Sequence, residues 1–332
     1  MMKKKLLALA AFSMLAGAAL AQNADTLEKI KSSGTVNLGV RDSSGLGYTL
    51  GNGKYVGFHT EMAERIVDDL AKQVGKPLKI NYQVITSQNR IPLMQNGTID
   101  FECGSTTNSK ARQKDVDFAV TTYVEEVRIA VKADSGIQSV ADLNGKTVAV
   151  TTGTTSVQHL RRHERGSKLE FKEIMGKDHA DSFLLLESGR ADAFVMDGSI
   201  LAKNIATSKN PQDFKIVGEV LSVEPIACML RKGDDKFRAA IDASIKRQIN
   251  DGSLQKLYDK WFMQPIPPTN VSLNMPVSES TKQAWAHPNS KPMEDYAKKY
   301  PPRAFGRAPA ALHGGGLFHA RNRKARQKVS GP

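Results

Sequence analysis

Residues 86–112 read TSQNRIPLMQNGTIDFECGSTTNSKAR. The preceding run KINYQVI (79–85) has strand composition and delivers Thr86 and Ser87. NRIPLMQNG then reads as a short helix stopped by Gly97. TIDFECGS returns as a strand and delivers Ser105. Two βα-type connections therefore end in hydroxyl- and amide-rich loops, and each loop leads into an arginine. Ser87, Gln88 and Asn89 precede Arg90; Ser105, Thr106, Thr107 and Asn108 precede Arg112. Neither cluster carries a carboxylate to neutralise its arginine, so both look outward for an anion.

The same alternation extends along the chain. VNLGV (36–40) is a strand ending at Arg41. FHTEMAERIVDDLAKQVG (58–75) places Phe58, Met62, Ile66 and Leu70 at helical spacing and is stopped by Gly75 and Pro77. EEVRIAVKAD (125–134) is a strand. KTVAVTTGTTSVQHLRRH (146–163) reads as strand, glycine turn and helix. EFKEIMG, ADAFVMD, FKIVGEV and PIACMLRKG are strands; HADSFLLLESGR and GSILAKNIATS are helices. Residues 234–262 form two closing helices. Alternating β and α predicts an α/β protein with open, mostly parallel sheets covered on both faces. Roughly 280 residues exceed one typical domain, so two are expected. No fixed-period repeat is present.

Both ends depart from this pattern. MMKKKLLALAAFSMLAGAALA (1–21) has a basic start, a short apolar run and Ala19-Leu20-Ala21 before Gln22, the form of a cleavable signal peptide, with an uncleaved anchor helix as the alternative. Position 22 is not Cys, which argues against a lipid anchor. Residues 301–332 are rich in Pro, Gly, Ala and Arg, lack apolar periodicity and are expected to be a disordered basic tail, either a frameshift product or a functional arm. The net charge of +13 suggests nucleic acid at first sight. Removing the three lysines of the signal and the seven cations of the acid-free tail leaves +3 for residues 22–300, an ordinary soluble balance. A nucleic-acid partner is not expected. Cys103 and Cys228 are 125 residues apart; in an exported chain they form one disulfide, worth about 4–5 kcal/mol by loop entropy, or remain two buried thiols.

Residues 25–299 resemble the periplasmic amino-acid-binding proteins of ABC importers (family 3 solute-binding proteins), most closely the glutamate/aspartate-binding type. The resemblance rests on GVRDSS (39–44), ITSQNRIPLMQNGTIDFECGSTTN (85–108), TTGTTS (151–156), KDHADSF (177–183), LESGRADAFVMD (186–197), CMLRKGD (228–234) and KWFMQPIPP (260–268). GSTT…R, ESGRADA and D-K-W-F are shared across the wider family; SQNR with KDH is narrower. It implies a two-lobed type II (Venus-flytrap) fold with two hinge strands, crossing near 120–130 and 222–230. Lobe one would comprise 22–125 and 226–280, lobe two 126–225, followed by a C-terminal segment at 281–300. Both cysteines would lie in lobe one near the hinge. The implied partners are L-glutamate or L-aspartate and a membrane permease, with a monomer in the periplasm and no cofactor or metal.

An acidic amino acid presents two carboxylates and one ammonium, each of which needs a partner in a closed cleft. Arginine's planar fork suits carboxylates. On the resemblance, Arg112 takes the α-carboxylate, Ser105 and Thr107 add backbone or hydroxyl bonds to the α-carboxylate and the ammonium, and the hydroxyl and N–H groups of Thr155, at a helix start, reach the same carboxylate from lobe two. Asp197, ending strand AFVMD, takes the ammonium. Arg41 and Arg90, with Ser87 and His179, match the side-chain-carboxylate pocket; His179 is neutral or charged, which sequence leaves open. Asp42 or Glu61 is expected to trim the remaining positive charge. Each residue also has an ordinary reading: surface arginines at helix starts, a capping segment in KDHADS, a serine/threonine-rich turn in TTGTTS. Their joint occurrence in the family's order favours the site. An enzyme on the same fold, a dehydratase acting on a cyclic acid, is the competing function; it lacks an evident acid/base pair or metal-spaced set.

Overall fold

The computed structural model describes residues 25–299 apart from residue 168; the expected signal peptide and basic tail lie outside the described residues. Among the described residues no helix is long and apolar enough to cross a membrane.

One continuous eight-stranded sheet organises the chain. Its spatial order is Lys79–Val84, Thr35–Val40, Phe101–Glu102, Phe214–Arg231, Val116–Lys132, Ala193–Asp197, Thr147–Thr151 and Lys172–Gly176. The three strands at either end run parallel to one another, as βαβ connections require. The two central strands are long and antiparallel to each other and to the strands they meet on either side. Each half of the sheet carries its own helices and apolar core. One core gathers Leu38, Phe58, Phe101, Tyr258 and Phe262; the other half holds Ile129, Val148 and Val195 on one face and Phe183, Phe194 and Leu201 on the opposite face. Two halves joined through two long strands make this a two-lobed, type II periplasmic-binding-protein fold.

The helices follow the sequence pattern. Phe58–Val74 buries Phe58, Met62, Ile66 and Leu70 on one stripe and ends at Gly75, whose φ of 76° suits a residue without a Cβ. His179–Glu187 is capped by Asp178, whose side chain accepts from the Asp181 amide at 3.0 Å.

The crossing strands differ from expectation. Val116–Lys132 starts nine residues earlier than the strand read at 125, and Phe214–Arg231 is continuous where two strands were read. Thr121, Thr122, Ser222 and Glu224 interrupt the apolar alternation, yet the chain stays extended as it passes between lobes. Breaks in pairing register between Val217 and Ser222 and around Ala227 take up the bend. Cys103, just past the strand Phe101–Glu102, and Cys228, on the strand beside it, form a disulfide, which decides between the bonded and thiol alternatives.

The segment after residue 277 packs on the hinge. Trp285 donates its indole N–H to Thr122 O (2.8 Å), Thr281 Oγ1 accepts from Val124 N (3.1 Å), and Asn289 O accepts from Thr121 N (2.8 Å). These contacts satisfy backbone groups of the first crossing strand where neither lobe's sheet covers it.

Candidate functional site

The loops at the ends of the strands in both halves converge on one narrow cleft. Ser87, Arg90, Ser105, Thr107 and Arg112 line it from one half. Thr155, His179 and Asp197 line it from the other, with Thr154 and Met196. Arg41 stands directly behind, bonded to two of the lining residues. All nine residues singled out in the sequence are thus brought together at a single place.

Local structure explains their aim. Thr86 and Asn89 exchange side-chain-to-backbone hydrogen bonds (2.7 and 3.2 Å), which shape the turn that starts the Arg90–Gln95 helix. Arg90, 2% exposed, reaches inward and donates to Thr106 Oγ1 at 2.7 Å and Ser105 O at 3.4 Å. Arg41 donates from Nη2 to Ser87 Oγ (3.1 Å) and to His179 Nε2 (2.8 Å). Arg112 donates to Thr107 O (2.9 Å) and, across the cleft, to Gly153 O (3.3 Å). Arg41 Nη1, Arg90 Nε and Asp197 Oδ1 are buried without a hydrogen-bond partner among the described residues.

The protonation of His179, open in the sequence, is settled by its neighbours. A guanidinium only donates, so Nε2 must accept from Arg41 and the proton sits on Nδ1, which donates to Thr151 Oγ1 at 3.2 Å. Burial, then Arg41 and Arg90, hold the imidazole's pKa well below its ordinary value. His179 is a neutral group orienting Arg41.

The arginines crowd one another. Burial pushes the Arg90 pKa well below its ordinary value, and Arg112 and Arg41 add to the shift. Asp197, at the end of strand Ala193–Asp197, is pushed the other way by burial and by Glu125 and Glu224. The site therefore holds concentrated positive charge on one wall and a carboxylate destabilised as an anion on the other. Carboxylates and an ammonium arriving together relieve both.

Two buried carboxylates that the sequence reading passed over complete the charge balance. Glu102, fully buried, accepts from Gly104 N (2.5 Å) and from the Thr106 hydroxyl that also serves Arg90. Glu224, fully buried on the second crossing strand, accepts from Thr107 Oγ1 (2.5 Å), Thr155 Oγ1 (2.8 Å) and His159 Nε2 (2.7 Å). Burial alone would raise the Glu224 pKa; the bonds from His159, Thr107 and Thr155 outweigh it and hold the carboxyl below its ordinary value. The acids expected to trim the charge are elsewhere: Asp42 is exposed, and Glu61 pairs with Lys260 at 2.5 Å. The available signal was an acid flanked by apolar residues at the loop end of a strand, as in FECGS and VEPIACM.

A closed cleft between two lobes, with cations and a carboxylate converging from both, is the design of an extracytoplasmic receptor for a small charged solute. The chain belongs to the bacterial extracellular solute-binding proteins, family 3, whose model matches residues 23–264. It is 44% identical over 272 residues to an L-glutamate/L-aspartate-binding protein of Pseudomonas aeruginosa, covering 81% of this chain and 90% of that one. It is 41% identical over 297 residues to a glutamate/aspartate import solute-binding protein of Escherichia coli, covering 87% and 98%. Among solved structures, an ancestral arginine-binding protein bound to glutamine superposes with a TM-score of 0.62 at 32% identity, covering 69% of this chain and 98% of that one.

Proposed function

We propose that this protein captures L-glutamate or L-aspartate outside the cytoplasmic membrane and delivers it to the permease of an ABC importer. The observation that carries this reading is the cation wall. Arg41 is held by Ser87 and neutral His179, Arg90 by Thr106, and Arg112 by Thr107 O and Gly153 O, so three differently anchored guanidinium groups gather at one cleft, enough for two carboxylates. Arg112 with the start of the Thr155–Ser167 helix takes the α-carboxylate. Arg41 and Arg90, with Ser87, take the side-chain carboxylate. Asp197 takes the ammonium, together with polar groups of Ser105 and Thr107. The family and the import-protein relatives support the transport role.

In this reading the mature chain begins near Gln22 after signal cleavage and acts as a periplasmic monomer without a cofactor. Residues 22–125 and 226–280 form lobe one, 126–225 lobe two, and the crossing strands bend as the hinge. Ligand shifts the open–closed equilibrium by making contacts to both lobes at once. The dehydratase alternative is set aside, because the relatives are binding proteins and His179 has both ring nitrogens engaged.

Isothermal titration of ligand-stripped protein with glutamate, aspartate and glutamine tests the proposal. Glutamate or aspartate should bind tightly and glutamine far more weakly, because an amide leaves a buried arginine without its counter-charge, at a cost of about 3 kcal/mol. Arg90→Ala should remove most of the preference for glutamate over glutamine. Equal loss of both ligands would contradict the assigned role of Arg90.

A further inference from the structure

Glu224 points to a device that sets which way two site hydroxyls face. It lies on the second crossing strand, directly opposite Glu125 in the pairing register. Its Oε2 receives the hydroxyls of Thr107, from one half of the molecule, and Thr155, from the other. The two hydroxyl oxygens stand 3.5 Å apart. Its Oε1 is held by His159, one turn along the helix from Thr155. Thr107, Thr155, His159 and Glu224 are all at least 95% buried.

A threonine hydroxyl has one proton and two lone pairs. An ionised carboxylate accepts only, so each hydroxyl must spend its single proton on Glu224. What remains to face the cleft is lone-pair density, from both lobes at once. Thr107 and Thr155 both line that cleft beside Asp197. Their hydroxyls are therefore unable to donate to a ligand carboxylate, the part the sequence had given Thr155. They suit a donor cation.

We propose that Glu224 is a positioning residue that orients the Thr107 and Thr155 hydroxyls as acceptors, so that the site selects a ligand with an ammonium group in addition to its two carboxylates. Glu224 does not touch the ligand; it acts through the threonines. Because one hydroxyl comes from each half, the acceptor pair is assembled only when the cleft is closed. An amine thus favours closure, and the same dicarboxylate without an amine gains nothing from this pair. The inference rests on the reading of the site as an acidic amino-acid receptor and assigns the element that distinguishes the amine.

Comparing glutamate with glutarate, its counterpart lacking the amine, tests this. The titration uses the full protein and Glu224→Gln. Glutamine at 224 presents an amide N–H₂ that can donate to a threonine and turn its hydroxyl proton toward the ligand. The wild type should prefer glutamate strongly. In Glu224→Gln that preference should fall by about tenfold or more, through weaker glutamate binding with glutarate little changed. A ratio within about twofold of wild type in a folded variant would overturn the proposal. If Glu224→Gln does not fold, Thr155→Val and Thr155→Ser take its place. Valine should weaken glutamate selectively and serine should restore it; equal weakening of both ligands by valine would overturn the acceptor role. Failure of the wild type to bind glutamate at all would instead refute the functional reading beneath, and this inference with it.

Discussion

Replacing Gly153 with alanine should separate the stability of the protein from its ability to close. Gly153 has φ +80°, a left-handed conformation that costs an L side chain about 1–2 kcal/mol. That penalty is present with or without ligand. A second penalty belongs to the closed cleft alone. A Cβ at 153 would stand 2.8 Å from Ser87 C, Ser87 O and Gln88 N, backbone atoms of the opposite half. Ordinary carbon contacts need about 3.5 Å, so the halves must part by roughly 0.7 Å at this point. The Arg112–Gly153 bond is already 3.3 Å and would leave hydrogen-bond range; the Thr155–Glu224 bond beside it would lengthen too. Hydrogen bonds to charged groups are worth about 1.5–3 kcal/mol each, so losing one or two in the liganded state should weaken glutamate binding by about 10- to 100-fold or more. Titration calorimetry gives the affinity, and urea unfolding of the ligand-free protein gives the stability. A variant that loses the expected stability yet keeps its affinity within about twofold would refute the reasoning, because the turn would then not meet Ser87 in the bound state.

Three further outcomes are expected. Buried His59 has its pKa lowered to about 4, chiefly by burial, with Nδ1–H donating to Gly104 O at 2.8 Å. Its folded pKa lies below its unfolded value, so its contribution is complete above pH ~6.5 and is lost as pH falls toward 4, by at most about 3 kcal/mol; His59→Asn, which keeps a donor and does not titrate, should flatten the acid side of a stability–pH curve measured in urea. Reducing the Cys103–Cys228 disulfide, which closes a 125-residue separation, should lower unfolding stability by up to about 4–5 kcal/mol, and an unchanged urea midpoint under reductant would count against it. Trp285→Ala should cost about 3 kcal/mol through lost packing against Tyr258 and an unpaired Thr122 carbonyl on the hinge, and a loss under 1 kcal/mol by urea titration would show that the C-terminal segment does not brace the crossing strands.

The sequence determined the local chemistry. Strand-then-loop patterns placed Ser87, Ser105, Thr155 and Asp197 at the ends of elements, where side chains and helix termini face a cleft. The apolar stripe of residues 58–74 specified a core helix, and the family motifs named the nine site residues. These features depend on spacing within about twenty residues, which a one-dimensional pattern records directly. The tertiary structure alone decided the rest. Residues 116–124 belong to a crossing strand because the second crossing strand and the C-terminal segment satisfy its backbone groups, partners that lie far away in the sequence. Glu102 and Glu224 look like ordinary acids in sequence, but folding buries them against hydroxyls and arginines from remote parts of the chain. The tautomer of His179 depends on Arg41, 138 residues away. Charge state and hydroxyl direction are set by which donors and acceptors meet in a site without water to substitute, and only the closed arrangement of the whole chain brings those partners together.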